Sequence, residues 1–171
     1  MSVDCTDLEV VEPYPYCRVW SKKWYSHKFK GPGVRYEIAL CIYDGSIVWV
    51  NGPFPCGKYN DCDIFMNLGL KNQLQQYERV EADDGYRAAD PLYVRCPGSR
   101  LHPQDTVDHR RALRGRHETV NKRIKQYNIL RAPFQNGMHK HRMVFQSIIV
   151  LTQISFDLGQ PLFGVNLSKF H

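Results

Sequence analysis

Blocks of alternating and clustered apolar residues divide the chain into a predictable series of elements. Residues 3–11, VDCTDLEVV, read as a strand stopped by Pro13 and Pro15. Residues 35–43 (RYEIALCIY) and 47–51 (IVWVN) are rich in β-branched and aromatic side chains. Asp44-Gly45 between them predicts a hairpin. Residues 21–33 are polar and basic, end in Gly-Pro-Gly, and read as a loop or ribbon; PFPCGKYND, residues 53–61, reads as a second loop. Ile64, Leu68, Leu70 and Leu74 predict a helix over 63–77, with Asn60 and Asp61 in position to cap it. A strand over Arg79–Ala82 then ends at Asp83, and LYVRC, residues 92–96, is extended.

The C-terminal part has a helical period. Leu113, Val120, Ile124 and Tyr127 trace one apolar face across residues 104–130. Residues 140–158 are apolar on most sides, predicting a buried helix that ends at Gly159 before Pro161. The order strand, hairpin, helix, strand, extended piece, helix, helix predicts an α/β fold with a mixed central sheet flanked by helices.

At 171 residues and 43% apolar content, the expectation is a single domain with one core over residues 1–171. No apolar run approaches the roughly 18 residues of a membrane span, and no basic-then-apolar leader opens the chain, so neither a membrane partner nor export is expected. Cys5, Cys17, Cys41, Cys56, Cys62 and Cys96 lack CxxC pairing and read as reduced thiols. Charge changes the picture more. Residues 1–90 hold 10 Lys/Arg against 13 Asp/Glu, a net −3, whereas residues 91–171 hold 13 against 4, a net +9. A basic half of this kind suits a polyanion, most commonly nucleic acid.

Three acids stand out by context. Asp4 lies within the first strand, Asp83 ends a later one, and Glu118 is the one acid among seven Lys/Arg between His109 and Lys125. Each has a plain alternative: Glu118 can pair with Arg114 and Lys122 at i−4 and i+4 on a solvated helix, and Asp83-Asp84 can open a turn before Gly85. SKKWYSHKFKGPG, residues 21–33, interleaves lysines with Trp24, Tyr25 and Phe29; lysines suit phosphates and aromatics suit exposed bases. Lys22, Lys23, Trp24, Lys28 and Lys30 are therefore candidate DNA contacts, as are Arg110, Arg111, Arg114, Arg116, Lys122 and Lys125 on the helix. The histidines lack the paired spacing of a structural zinc site, and His117 beside Glu118 reads as a packed or solvated histidine more readily than a substrate-orienting one.

Taken together, VDCTD, PFPCGKYND, ADDGY and RHETVNKRIK, in that order and with 35 positions from Asp83 to Glu118, resemble the DDE-type transposase and endonuclease family, and within it the Harbinger-type branch. The resemblance implies an RNase H-like fold. It implies Asp4, Asp83 and Glu118 as catalytic residues and as ligands of two Mg²⁺ or Mn²⁺ ions, with Asp61 matching a further acidic position common in that branch. The implied partner is DNA, the implied site of action the nucleus, and the chain is open to oligomerisation. The family's N-terminal DNA-recognition region is not seen before Asp4, so a separate DNA-binding protein supplying end recognition is a further expectation. The alternative is a domesticated, catalytically silent DNA-binding or protein-interaction domain.

Overall fold

The structure, a computed structural model, describes residues 1–11, 22–96 and 107–165, apart from the side chains of 107–110. Pro13, Pro15, Cys17, Arg110's side chain and residues 104–106 of the expected long helix lie outside the described residues. The first strand, β1, is Ser2–Glu9. A two-residue strand β2, Tyr25–Ser26, precedes β3, Gly31–Leu40, and β4, Ile47–Pro55. Helix α1 covers Asp61–Leu68 and runs through Gly69 into a 3-10 turn, Leu70–Gln73. Two short strands, β5 (Val80–Glu81) and β6 (Val94–Arg95), follow. Helices α2 (Val107–Ile124), α3 (Asn128–Arg131) and α4 (Met138–Asp157) complete the chain.

The fold is mixed α/β. One sheet runs β2-β3-β1-β5-β6, with β4 also on β3. On one side of β1 the neighbours are antiparallel, β1 to β3 and β3 to β4; on the other they are parallel, β1 to β5 and β5 to β6. Alternate residues of the central strands feed two cores. Leu8, Val34, Tyr36, Ile38 and Leu40 pack with Val120 and Ile124 of α2 and Phe145 and Ile148 of α4. Val3, Cys5 and Ala39 pack on the opposite face with Ile64 and Phe65 of α1 and with Tyr86.

Several boundaries differ from those expected. The hairpin turns at Asp44-Gly45, where Gly45 takes φ +81° and Asp44 Oδ1 accepts from the Ser46 amide and hydroxyl. Its strands, however, are longer than the apolar runs. β3 begins at Gly31, where Gly31 and Pro32 pair with the short β2; Pro32 has no amide to donate, and its carbonyl accepts from the Val10 amide at 3.1 Å. β4 reaches Pro55, absorbing the first third of the expected loop. The expected 63–77 helix stops at Leu68 because Gly69 lies against Asn51: a Cβ there would strike the Asn51 amide, which bonds the Leu68 carbonyl. In α2 Leu113, Val120 and Ile124 are buried as expected, but the helix ends at Ile124 and Tyr127 is 36% exposed. Helix α4 is not buried all round; one side faces solvent.

Candidate functional site

Strand pairing decides which acids meet. β1 and β5 run parallel with Ser2 opposite Glu81, so two residues further along both chains Asp4 comes beside Asp83. The ADDGY segment then makes local sense. Asp83 caps the 3-10 turn Asp84–Tyr86 by accepting from the Gly85 amide at 2.8 Å. Tyr86 is wholly buried, edge-on to Phe65, with its hydroxyl 3.3 Å from Cys5 Sγ, which anchors the turn on β1. Asp84 turns outward to Arg87 at 2.7 Å and is no part of the site. Gly85 matters for its missing side chain. A Cβ there would sit 2.9 Å from Asp61 Oδ2 and 3.0 Å from Asp83 Oδ1, so these two carboxylates converge over it.

Asp61 arrives from the first turn of α1, whose cap is Asn60, its side chain accepting from the Asp63 amide at 2.8 Å. Arg35 of β3 holds it, with Nη1 2.8 Å from Asp61 Oδ1. The same guanidinium bonds fully buried Asp7 through Nε at 2.7 Å and Nη2 at 3.0 Å.

The electrostatics single out Asp4. Burial, and then the charge of Asp83, push its carboxyl up to about 6, against the pull of the Cys5 amide. Burial likewise raises Asp61, although Arg35 and Lys28 oppose it. Behind them Glu37 of β3 is fully buried and pushed up to about 7 by burial; Oε2 accepts from Trp49 Nε1 at 2.9 Å while Oε1 has no hydrogen-bond partner. Four acids thus crowd one region with Arg35 as the cation built into it.

Helix α2 lies along β1 in step. His117 Nε2 is 3.0 Å from Ser2 Oγ, and one turn later Asn121 Nδ2 is 3.4 Å from Asp4 Oδ2. His117 is buried, which depresses its pKa to about 4, so it is a neutral packing residue rather than a substrate contact. The helix side chain at Asp4 is therefore Asn121. Glu118 is exposed, paired with Arg114 at 3.2 Å, and does not join the aspartates. Among the described residues no three acidic, thiol or imidazole groups already close on one point that could hold a metal. Still, the oxygen-only donors, the mutual repulsion of Asp4 and Asp83 and the cradle over Gly85 fit a hard divalent cation held by Asp4, Asp61 and Asp83.

The candidate DNA contacts divide. Lys28 reaches the rim of the acidic site, 4.0 Å from Asp7, and its charge acts on Asp4 and Asp61. Lys125 lies close by: burial and then Lys28 lower its pKa, while Asp7 and Asp4 raise it. Lys22, Lys23 and Lys30 are exposed beside half-buried Trp24, over whose ring Lys23 lies at 5.3 Å. Arg111, Arg114 and Lys122 are exposed on α2. Arg116 is not available to a phosphate. It is 1% exposed and donates to the carbonyls of Ile42 at 2.6 Å and Phe163 at 2.9 Å, tying α2 to the hairpin turn and the C-terminal segment.

Sequence reasoning missed Arg35, Asp7, Glu37 and Asn121. Glu37, a charge inside the otherwise apolar run IALCIY and its flanks, was the one with a local signal. The others depend on pairing across the sheet. Among the described residues none of Cys5, Cys41, Cys56, Cys62 and Cys96 forms a disulfide, and no described helix is long and apolar enough to cross a membrane. Comparison of the chain with protein-family models, with curated proteins and with solved structures gives no match in any of the three.

Proposed function

We propose that this chain is the catalytic core of a metal-dependent DNA endonuclease or transposase of the DDE type, with an RNase H-like fold. The observation that carries the reading is the juxtaposition of Asp4, within β1, and Asp83, just beyond the parallel neighbour β5, with Asp61 converging on Asp83 over Gly85. The strand order, an antiparallel hairpin on one side of β1 and parallel strands on the other, supports the fold assignment. Asp4, Asp61 and Asp83 would hold a Mg²⁺ or Mn²⁺ pair, whose contribution would be to activate water and stabilise the leaving oxygen of a phosphodiester. The chain's own residues do the rest. Asp4, Asp61 and Asp83 supply hard oxygens. Arg35 fixes the orientation of Asp61 and Asn121 that of Asp4. Lys28 and Lys125 set positive charge at the rim, where a scissile phosphate must enter past the acids. Lys22, Lys23, Trp24 and Lys30, with Arg111, Arg114 and Lys122, extend the polyanion path. Glu118 stands about 4.5 Å along the helix axis from Asn121. Its exposed pair with Arg114 is worth only about 0.2–1 kcal/mol, so rotation toward the acids costs little once cations are present.

The test is cleavage of supercoiled plasmid with Mg²⁺ or Mn²⁺. Asp4→Ala and Asp83→Ala should abolish nicking while DNA binding persists or tightens slightly. Glu118→Gln should lose nicking too if the helix supplies the third acid. Binding without nicking by the parent chain would favour instead a catalytically silent DNA-binding domain. Nicking by Asp4→Ala at the parental rate would remove the proposed site.

A further inference from the structure

Helix α4 is apolar on two opposite faces, and only one of them is used by the fold. Phe145, Ile148 and Phe156 of the inner face pack into the main core. On the other side Met143, Val150, Leu151, Ile154 and Leu158 are 44–80% exposed. The exposed residues are ordered. Met143, Ser147, Val150 and Ile154 follow at steps of four, three and four, the spacing of a coiled-coil seam. One further step of three at each end reaches Lys140 and Asp157.

We propose that the outer face of α4 pairs with the same face of a second copy of this chain, antiparallel, to form a symmetric dimer. A two-fold axis midway between Ile148 and Ile149 sets Met143 against Ile154, Ser147 against Val150, and Lys140 against Asp157, each pair occurring twice. The charges select this occupant. His139, Lys140 and Arg142 lie at one end of the helix and Asp157 at the other, so a copy running the opposite way brings opposite charges together and a parallel copy does not. Ser147 keeps the middle of the seam narrow, and its hydroxyl already donates to the Met143 carbonyl at 3.0 Å, so no donor is left unpaired. Asp157 accepts from Gln153 at 3.0 Å, which holds it at the edge of the seam. A membrane-surface helix would carry cations along its length; here Gln146 and Gln153 border the apolar stripe instead. A 20-residue helix offers a contact about 30 Å long, toward the small end of stable interfaces, so dimerisation in the micromolar range is expected.

Sedimentation velocity over a concentration series from nanomolar to high micromolar tests this without reference to the chemistry of the acidic site. The expected result is a reversible monomer–dimer equilibrium. Ile154→Glu should abolish it with an unchanged thermal melt. Lys140→Glu alone and Asp157→Lys alone should each weaken it by roughly 2- to 30-fold, the worth of the two exposed pairs lost from the symmetric dimer. The chain carrying both changes should regain parental affinity, because the reversed charges again meet opposites. A monomer at every concentration, a dimer indifferent to Ile154→Glu, or a double variant weaker than either single one would overturn the proposal.

Discussion

Asp4 and Asp7 lie three residues apart on one strand and have opposite electrostatic fates. Asp7 is buried and Asp4 half-buried, and loss of water by itself raises a carboxyl. At Asp7 burial is outweighed by Arg35, Lys28 and the Ser26 hydroxyl, which donates at 2.7 Å, and the carboxyl is held below its ordinary value. At Asp4 the neighbouring side chains are Asn121, a neutral amide, and Asp83, another acid, and the carboxyl rises to about 6. A structural acid arrives with its counter-charge in the fold. Asp4 has none of comparable strength, and that imbalance is what the proposed cation site rests on.

The largest expected effect tests the structural half of that contrast. Asp7→Asn keeps an acceptor oxygen but removes a charge, leaving the Arg35 guanidinium, 14% exposed, with Asp61 as its acidic partner and the Tyr59 carbonyl as a neutral one. Removing one partner of a buried pair costs about 3–5 kcal/mol. Chemical denaturation should show a loss of that size, and a loss under about 1 kcal/mol would mean the Arg35 network is not what fixes β1, β3 and α1 together.

Asp4→Asn should do the reverse. The folded protein holds the Asp4 proton more tightly than the unfolded chain does, so ionisation opposes folding. Stability from this group is intact below about 3.8, falls as pH rises to about 6, and stays lower above it. The variant should therefore be more stable than the parent at pH 7.5, by at most on the order of 3 kcal/mol at about 1.4 kcal/mol per pKa unit. Near pH 3.5 the two should melt alike. Mn²⁺ should raise the melting temperature of the parent at pH 7.5 and have little effect on the variant. A parent more stable than Asp4→Asn at pH 7.5 without metal would contradict the reading of Asp4 as an unneutralised acid.

The contrast between these aspartates was not legible in VDCTD, and the reason is physical. Local sequence carries period, turn chemistry and capping, so the hairpin at Asp44-Gly45, the Asn60 cap and the order of strands and helices could be read from it. The mixed α/β architecture followed from that order. What local sequence lacks is the register between distant strands. Asp4 meets Asp83 through Ser2 opposite Glu81, and Asp7 meets Arg35 across the antiparallel pair. Gly69 ends α1 because of Asn51 on another strand, and α4 has a free outer face because the sheet covers only its inner one. At the site, the motif positions Asp4, Asp61 and Asp83 come together. Glu118 stays with Arg114, since nothing within the chain offers its carboxylate a reason to approach three others.

Gly85→Ala tests the cradle between Asp61 and Asp83. The added methyl would press on the ends of two carboxylates, not on backbone, and the fold should lose about 1 kcal/mol because Asp83 Oδ1 caps the turn through the Gly85 amide. The geometry they offer a cation should suffer more. Mn²⁺ affinity by calorimetry should fall by about 10-fold or more, the usual scale for disturbing groups that orient ligands. Unchanged affinity would place the ion away from Gly85.

The smallest stability effect is expected on the exposed face of α2. Arg114 and Glu118 are 72% and 67% exposed, so replacing Arg114 and Lys122 together by alanine should cost less than about 1 kcal/mol in a thermal melt. Its value lies in a second readout. If both side chains reach phosphates, the slope of log K against log salt for duplex binding should become shallower by roughly two, at about 0.9 per contact. All duplex sequences should weaken alike, because phosphate contacts carry no base information. Lys28→Ala and Lys125→Ala give the internal reference, since both sit where a phosphate would approach Asp4. A slope that moves with Lys28 and Lys125 and not with Arg114 and Lys122 would confine the DNA to the β2–β3 side of the acids. A slope that moves with all four would run it along α2 as well, past Glu118.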